Sequence, residues 1–181
     1  MKGLIIFSHD MEDGEALTTR ALLKRAGISM DTMTFEKTKR IITSYGLAVE
    51  ADYLSDQVQL DKYDFLVIPG GKYVKNVVDD DTHIKSTASH FLSSGKMVAA
   101  ICAGPRFLGQ AHLLDGINFT AYPGSEKDAP QGIYHKDMKA MTDGLIITGR
   151  SAGAVYEFSY EITKYILGEE LASKLLSSIL F

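Results

Sequence analysis

Val98, Ala99, Ala100 and Ile101 form an uninterrupted apolar run that meets Cys102, the only cysteine of the chain, and Gly104 and Pro105 follow at once. So short a run, ended by turn-forming residues, fits a strand buried on both faces. Proline is well tolerated in the first turn of a helix, where its missing N–H would have had no partner. Cys102 is therefore expected at a strand-to-helix corner, with a helix starting just past it. A nucleophile elbow places its reactive residue at such a corner, with small residues two places before and two places after. Here those places hold Ala100 and Gly104. The start of the helix would aim unpaired N–H groups toward the sulfur and favour thiolate, a form that makes up only about 3% of an unperturbed thiol at neutral pH. Taken alone, a lone intracellular cysteine is usually a small buried hydrophobe. The elbow around Cys102 turns the reading toward a nucleophile.

The chain before the elbow sets up a parallel sheet. Leu4 to Phe7 is a short apolar run closed by Ser8, His9 and Asp10, and reads as a first buried strand. A helical pattern follows from about Glu12 to Ala26 with Gly27 as its stop, and then a strand near Ser29 to Phe35. Strand, helix, strand at this spacing belongs to an α/β fold. Glu15 lies within about 20° of Leu22 and Ala26 on a helical wheel. It is either a first-turn acid favoured by the helix dipole or an acid turned inward at the top of the sheet. Residues from about Ile41 to Asp61 are weakly patterned and suit a small excursion or hairpin. Asp64 to Ile68 makes another strand, ended by Pro69, Gly70 and Gly71, and paired glycines let backbone N–H groups face a ligand. An ordinary strand-to-helix turn would read the same way.

Asp79, Asp80 and Asp81 directly precede the helical stretch Ile84 to Leu92, so capping explains them and no metal site is assigned. His83 and His90 read as surface or packing residues. Past the elbow helix, Ile117 to Tyr122 resembles a strand and Pro123 to Gln131 a loop. Met138 to Met141 and Leu145 to Thr148 suggest a hairpin turning at Asp143 and Gly144, before a helix that runs to about Leu167. Glu169 to Phe181 carries apolar residues at helical spacing and either packs on the body or joins a subunit interface.

Composition narrows the function. A length of 181 residues suits one domain spanning 1–181, with a sizeable core. A net charge of −4, with Lys37, Lys39 and Arg40 as the sole basic cluster, argues against a nucleic-acid partner. One cysteine excludes an internal disulfide framework and fits a reducing compartment. The apolar run at Met1 to Phe7 is too short for a signal peptide, so a cytoplasmic location without membrane attachment is expected.

A Glu on the first helix, a Pro-Gly-Gly loop, an Ala-Ile-Cys-Ala-Gly-Pro elbow and a late Gly-Leu-Ile-Ile-Thr strand together resemble the ThiJ/PfpI family. Within it the chain is most similar to the branch of the parkinsonism-associated deglycase. The likeness runs from Leu4 to about Leu167. It implies a flavodoxin-like α/β sandwich of three layers with a mostly parallel sheet and a glutamine amidotransferase-like architecture. It also implies a homodimer, no cofactor, and an oxidation-prone cysteine. Carried over by position, Cys102 matches the nucleophile and Glu15 the acid that shares its proton. Glu15 stands at the family's distance before Arg25, Ala26 and Gly27. Gly71 and Ala103 match the backbone donors of the oxyanion site.

The chain departs from the family where histidines are concerned. Tyr122 stands before Pro123, where the deglycase branch commonly has histidine; Ala103 follows the cysteine, where the protease-like branch has histidine; and Tyr156, Glu157 and Phe158 contain no His-x-Glu pair. His9 and His135 are the substitutes to test, with Tyr122 as a hydrogen-bond donor rather than a base. Three functions follow as expectations. The first is a stress-protective, glyoxalase- or deglycase-like enzyme acting on reactive carbonyls, slow for want of the histidine. The second is a redox sensor or protective binding protein in which an oxidant modifies Cys102. The third is an interaction module that makes no use of the cysteine.

Overall fold

The computed structural model describes residues 1–181. Its strands, in chain order, are β1 (Lys2–Ile6), β2 (Ser29–Thr34), β3 (Arg40–Ile42), β4 (Ala48–Glu50), β5 (Tyr53–Leu54) and β6 (Phe65–Ile68). They continue with β7 (Met97–Ile101), β8 (Asn118–Phe119), β9 (Ile133–Tyr134), β10 (Ala140–Asp143) and β11 (Ile146–Gly149). The α-helices are α1 (Thr19–Arg25), α2 (Lys72–Val77), α3 (His83–Ser93), α4 (Pro105–Gln110), α5 (Val155–Leu167) and α6 (Glu169–Ser178).

Seven strands make the main sheet in the order β10-β11-β7-β6-β1-β2-β5. Every pairing is parallel except β10 with β11. Leu4, Ile5 and Ile6 of β1 and all of β6 are buried, because helices cover both faces of the sheet. This is the mixed α/β, flavodoxin-like fold expected from the sequence. Connections leave β1 in one direction along the sheet and β6 in the other, so right-handed crossovers put α1 on one face and α3 on the opposite one. Helix α5 packs with both α1 and α6, and α4 packs with α3. The order reverses between β1 and β6, and a crevice opens at their carboxyl ends.

Several expectations shift in detail. The first helix is not uniform: Gly14–Thr18 is a π-helical turn that leads into α1. A π turn holds more residues than an α turn, so a 100° wheel does not predict which way Glu15 faces. The Ile41 to Asp61 excursion contains the β3–β4 hairpin and β5, and β5 then joins the main sheet. Ile117 to Tyr122 shrinks to the two-residue β8, which pairs with β9 in a separate ribbon. Asp81 accepts hydrogen bonds from the Ile84 and Lys85 N–H groups and so caps α3, while His83 stacks on Phe35. Helix α6 packs on α5 through Ala172 and Leu175, and Phe181 stacks on Tyr156.

Candidate active site

Strand β7 delivers Cys102 to the crevice in a left-handed backbone conformation, φ +62°. That conformation costs a non-glycine residue about 1–2 kcal/mol and persists only where the surroundings enforce it. Here the Cys102 N–H donates to the Gly149 carbonyl at 2.8 Å, and the Cys102 carbonyl accepts from the Tyr122 N–H at 2.8 Å. A side chain at Gly104 would stand 2.6 Å from the Ile68 carbonyl oxygen, so the small residue after the elbow is a steric requirement. The sulfur is half-buried.

Glu15 is fully buried. Its Oε2 accepts the Gly70 N–H at 2.9 Å, while Oε1 has no well-aligned hydrogen-bond partner and the Cys102 thiol interacts with the carboxyl. Burial pushes the Glu15 carboxyl up to about 7, and the nearby Glu12 carboxylate adds to the rise. The thiol and the Gly70 N–H oppose it. Cys102 is pushed up as well, first by burial and then by the charge of Glu15, with only the Ala103 N–H holding it down. This reverses the expected stabilisation of thiolate by the helix start. Helix α4 begins only at Pro105, and the acid lies closer to the electrostatics of the sulfur than the helix does. The two groups therefore titrate as a pair that keeps one proton well above neutral pH.

Pro69, Gly70 and Gly71 lead from β6 across the crevice. Gly71 has φ +128°, and a side chain there would collide with the Asp10 carbonyl oxygen and reach within 2.5 Å of the Glu12 nitrogen. The Gly71 N–H donates to no other group of the chain, and the Ala103 N–H to none but the Cys102 sulfur. Both residues line, with Cys102, a cleft of about 660 Å³. Two N–H groups that bond no oxygen of the chain and stand beside a thiol have the arrangement an oxyanion site requires.

Tyr122 also lines the cleft and is 53% exposed. The two histidines do not line it. His9 Nδ1 accepts the Ile42 N–H at 3.0 Å and so fastens the β3–β4 hairpin, whereas His135 Nε2 lies 2.8 Å from Asn118 Oδ1 beside the β8–β9 ribbon. Sequence reasoning overlooked Glu12, Tyr45, Lys72, Lys75 and Arg106, all of which line the cleft. Only Arg106 carried a signal, standing directly after Pro105 at the start of the elbow helix.

Fold and site together define a flavodoxin-like protein with a cysteine on a strained elbow and a buried acid beside it. The sequence profile of the DJ-1/PfpI family matches residues 1–165. The chain belongs to that family. Among curated relatives it is 28% identical to Protein dj-1beta of Drosophila melanogaster over 178 residues, covering 98% of this chain and 95% of the relative. It is 31% identical to Deglycase PH1704 of Pyrococcus horikoshii over 167 residues, covering 92% and 99%. The solved structure of oxidized Toxoplasma gondii DJ-1 superposes with a TM-score of 0.91 at 28% identity, covering 99% of this chain and 98% of that one. No helix is long and apolar enough to cross a membrane.

Proposed function

We propose that this protein is a stress-protective enzyme of 181 residues forming one domain, cytoplasmic and dimeric, that uses Cys102 to attack reactive carbonyl compounds. The observation that carries this reading is the joint placement of Cys102, Glu15 and the Gly71 and Ala103 N–H groups, neither of which bonds an oxygen of the chain. Proton transfer from the thiol to Glu15 yields the nucleophile. Sulfur then adds to the aldehyde carbon, the C–S bond forms, and the C=O π pair moves onto oxygen. The Gly71 and Ala103 N–H groups hold that oxyanion until Glu15 returns the proton, leaving a neutral hemithioacetal. For a 2-oxoaldehyde, Glu15 next carries the C–H proton of the hemithioacetal to the neighbouring carbonyl carbon, while the hemithioacetal O–H proton passes to that carbon's oxygen. Water then adds to the resulting 2-hydroxy thioester and releases the 2-hydroxy acid and the Cys102 thiol. A carboxyl poised near neutral pH suits both directions of transfer. The names of the deglycase relatives support the same substrate class.

No histidine lines the cleft, so turnover is expected to be slow. The test is lactate formation from methylglyoxal. Cys102→Ser should reduce it to background, and Glu15→Gln should lower it by about 10²- to 10⁴-fold. A second reading draws on the same geometry and on the absent histidine: an oxidised Cys102 would place its oxygens on the two N–H groups and the protonated carboxyl, with no base needed. Modification of Cys102 by mild peroxide together with no lactate at all would replace the first reading by this one. Absence of both lactate formation and peroxide modification of Cys102 in the parent protein would leave only an interaction module.

A further inference from the structure

Three cations line the Cys102 cleft: Lys72 and Lys75 from α2 and Arg106 from α4. The acid that lines it with them is Glu12, whose Oε2 is engaged by the Glu15 N–H at 2.6 Å. This local excess of positive charge stands against a chain whose net charge is −4. The three cations are also incompletely neutralised. Lys75 takes part in no ion pair or hydrogen bond within the chain, and Lys72 reaches only the Ser44 carbonyl, at 3.0 Å, and the face of the Tyr45 ring, at 5.2 Å. Arg106 is built differently. Its Nε pairs with Asp128, which Gln110 Nε2 also holds at 3.0 Å, and neither Nη nitrogen has a partner. One edge of the guanidinium is thus fixed while its terminal nitrogens stay available, in the geometry that grips a carboxylate or a phosphate.

Resting on the reading of Cys102 as the nucleophile, we propose that the cleft selects carbonyl compounds that carry a negative charge, a small aldehyde or ketone bearing a carboxylate or a phosphate. A neutral 2-oxoaldehyde engages none of the three cations. An anionic one gains the Arg106 fork and the field of two unpaired ammonium groups, which also raise its local concentration at the mouth of the cleft. The Cys102 thiol, the Gly71 and Ala103 N–H groups and Glu15 serve the carbonyl in either case, so charge selection is a separate property of the opposite end of the substrate.

Two alkylating reagents of nearly equal size test the selection directly. Iodoacetate carries a charge and iodoacetamide does not. At pH 7.5 and low ionic strength, the ratio of Cys102 alkylation rates, iodoacetate over iodoacetamide, should exceed the ratio for glutathione by about tenfold and should fall as salt is added. Lys75→Gln, which breaks no side-chain hydrogen bond or ion pair, should move the ratio severalfold toward that of glutathione. Arg106→Gln should do the same, and because it also frees Asp128, the Lys75 variant keeps the test independent of folding. Protection of Cys102 by glyoxylate against glyoxal, and by glyceraldehyde 3-phosphate against glyceraldehyde, then distinguishes a carboxylate from a phosphate as the preferred anion. Brisk alkylation with the ratio of glutathione, unaltered by salt or by Lys75→Gln, overturns charge selection and leaves the cysteine reading intact. Failure of Cys102 to react with either reagent overturns both.

Discussion

A β-carbon added at Gly70 would stand 2.7 Å from Glu15 Oε2, 2.8 Å from Cys102 Cβ and 2.9 Å from Ala103 N. Glu15, Cys102 and the Ala103 N–H thus close around one missing side chain. Gly70 needs no left-handed backbone, so space and not conformation is what glycine supplies here. Its N–H meanwhile fixes Glu15 Oε2, and the Cys102 thiol interacts with the same carboxyl. Gly70→Ala should therefore fold but displace at least one of the three groups by a large fraction of an ångström. A misplacement of about 1 Å costs on the order of 10²-fold in rate. Methylglyoxal turnover in Gly70→Ala is expected to fall by about that factor while the circular dichroism spectrum stays that of the parent. Full activity would show that the three groups need not be held so closely.

The β3–β4 hairpin is the element that turns an open crevice edge into a cleft. Its tip brings Ser44 and Tyr45 to the wall opposite the elbow helix. Only Ile41 of its six strand residues is buried, so packing cannot hold it in place. Beside His9 and the backbone bonds of Asp10 and Met11, Asp13 anchors its tip: Oδ1 accepts the Thr43 hydroxyl at 2.6 Å and Oδ2 the Tyr45 N–H at 3.3 Å. Hydrogen bonds to a charged acceptor contribute about 1.5–3 kcal/mol each. Asp13→Ala is expected to raise KM several-fold while kcat stays within about twofold, and to speed proteolysis at Tyr45. An unchanged KM would detach the hairpin from substrate binding. The same element marks where sequence pattern stops being readable. Strands β1, β6 and β7 announce themselves as apolar runs because both of their faces are covered. Three-residue strands with one buried side chain have no period to detect, and the bonds that place them join residues some 30 positions apart. The π turn at Gly14–Thr18 was equally hidden, since nothing in a 3.6-residue pattern signals a widened turn.

At the scale of the whole molecule, the strand order brings the ends of β1, β6 and β7 together at the reversal point, so Glu15, Gly71 and Cys102 meet across long stretches of chain. Cys102, with its strand, its proline and its small neighbours, was legible from a local window. Glu15 was legible only through resemblance, and Lys72, Lys75 and Arg106 were not singled out, because charged residues on exposed turns look alike until the sheet order says which of them share a cleft. The same topology also affects stability, since it carries a carboxyl into the interior. Glu15 has an ordinary value of 4.5 and is raised to about 7 in the fold. The folded state therefore binds more protons than the unfolded state between those two values, and stability falls as pH rises through that window. A shift of this size corresponds to about 3 kcal/mol, present below pH 4.5 and lost by about pH 8. Gln at position 15 can still accept the Gly70 N–H and does not ionise. Denaturant unfolding of the parent and of Glu15→Gln at pH 5 and pH 8 should show the variant gaining on the parent by about 2–3 kcal/mol at the higher pH. The variant that is more stable there should be the one that has lost its turnover, as expected when a charge is buried for chemistry and not for folding. Parallel stability profiles would mean that Glu15 ionises at an ordinary pH in the fold, and would remove it as the proton carrier for Cys102.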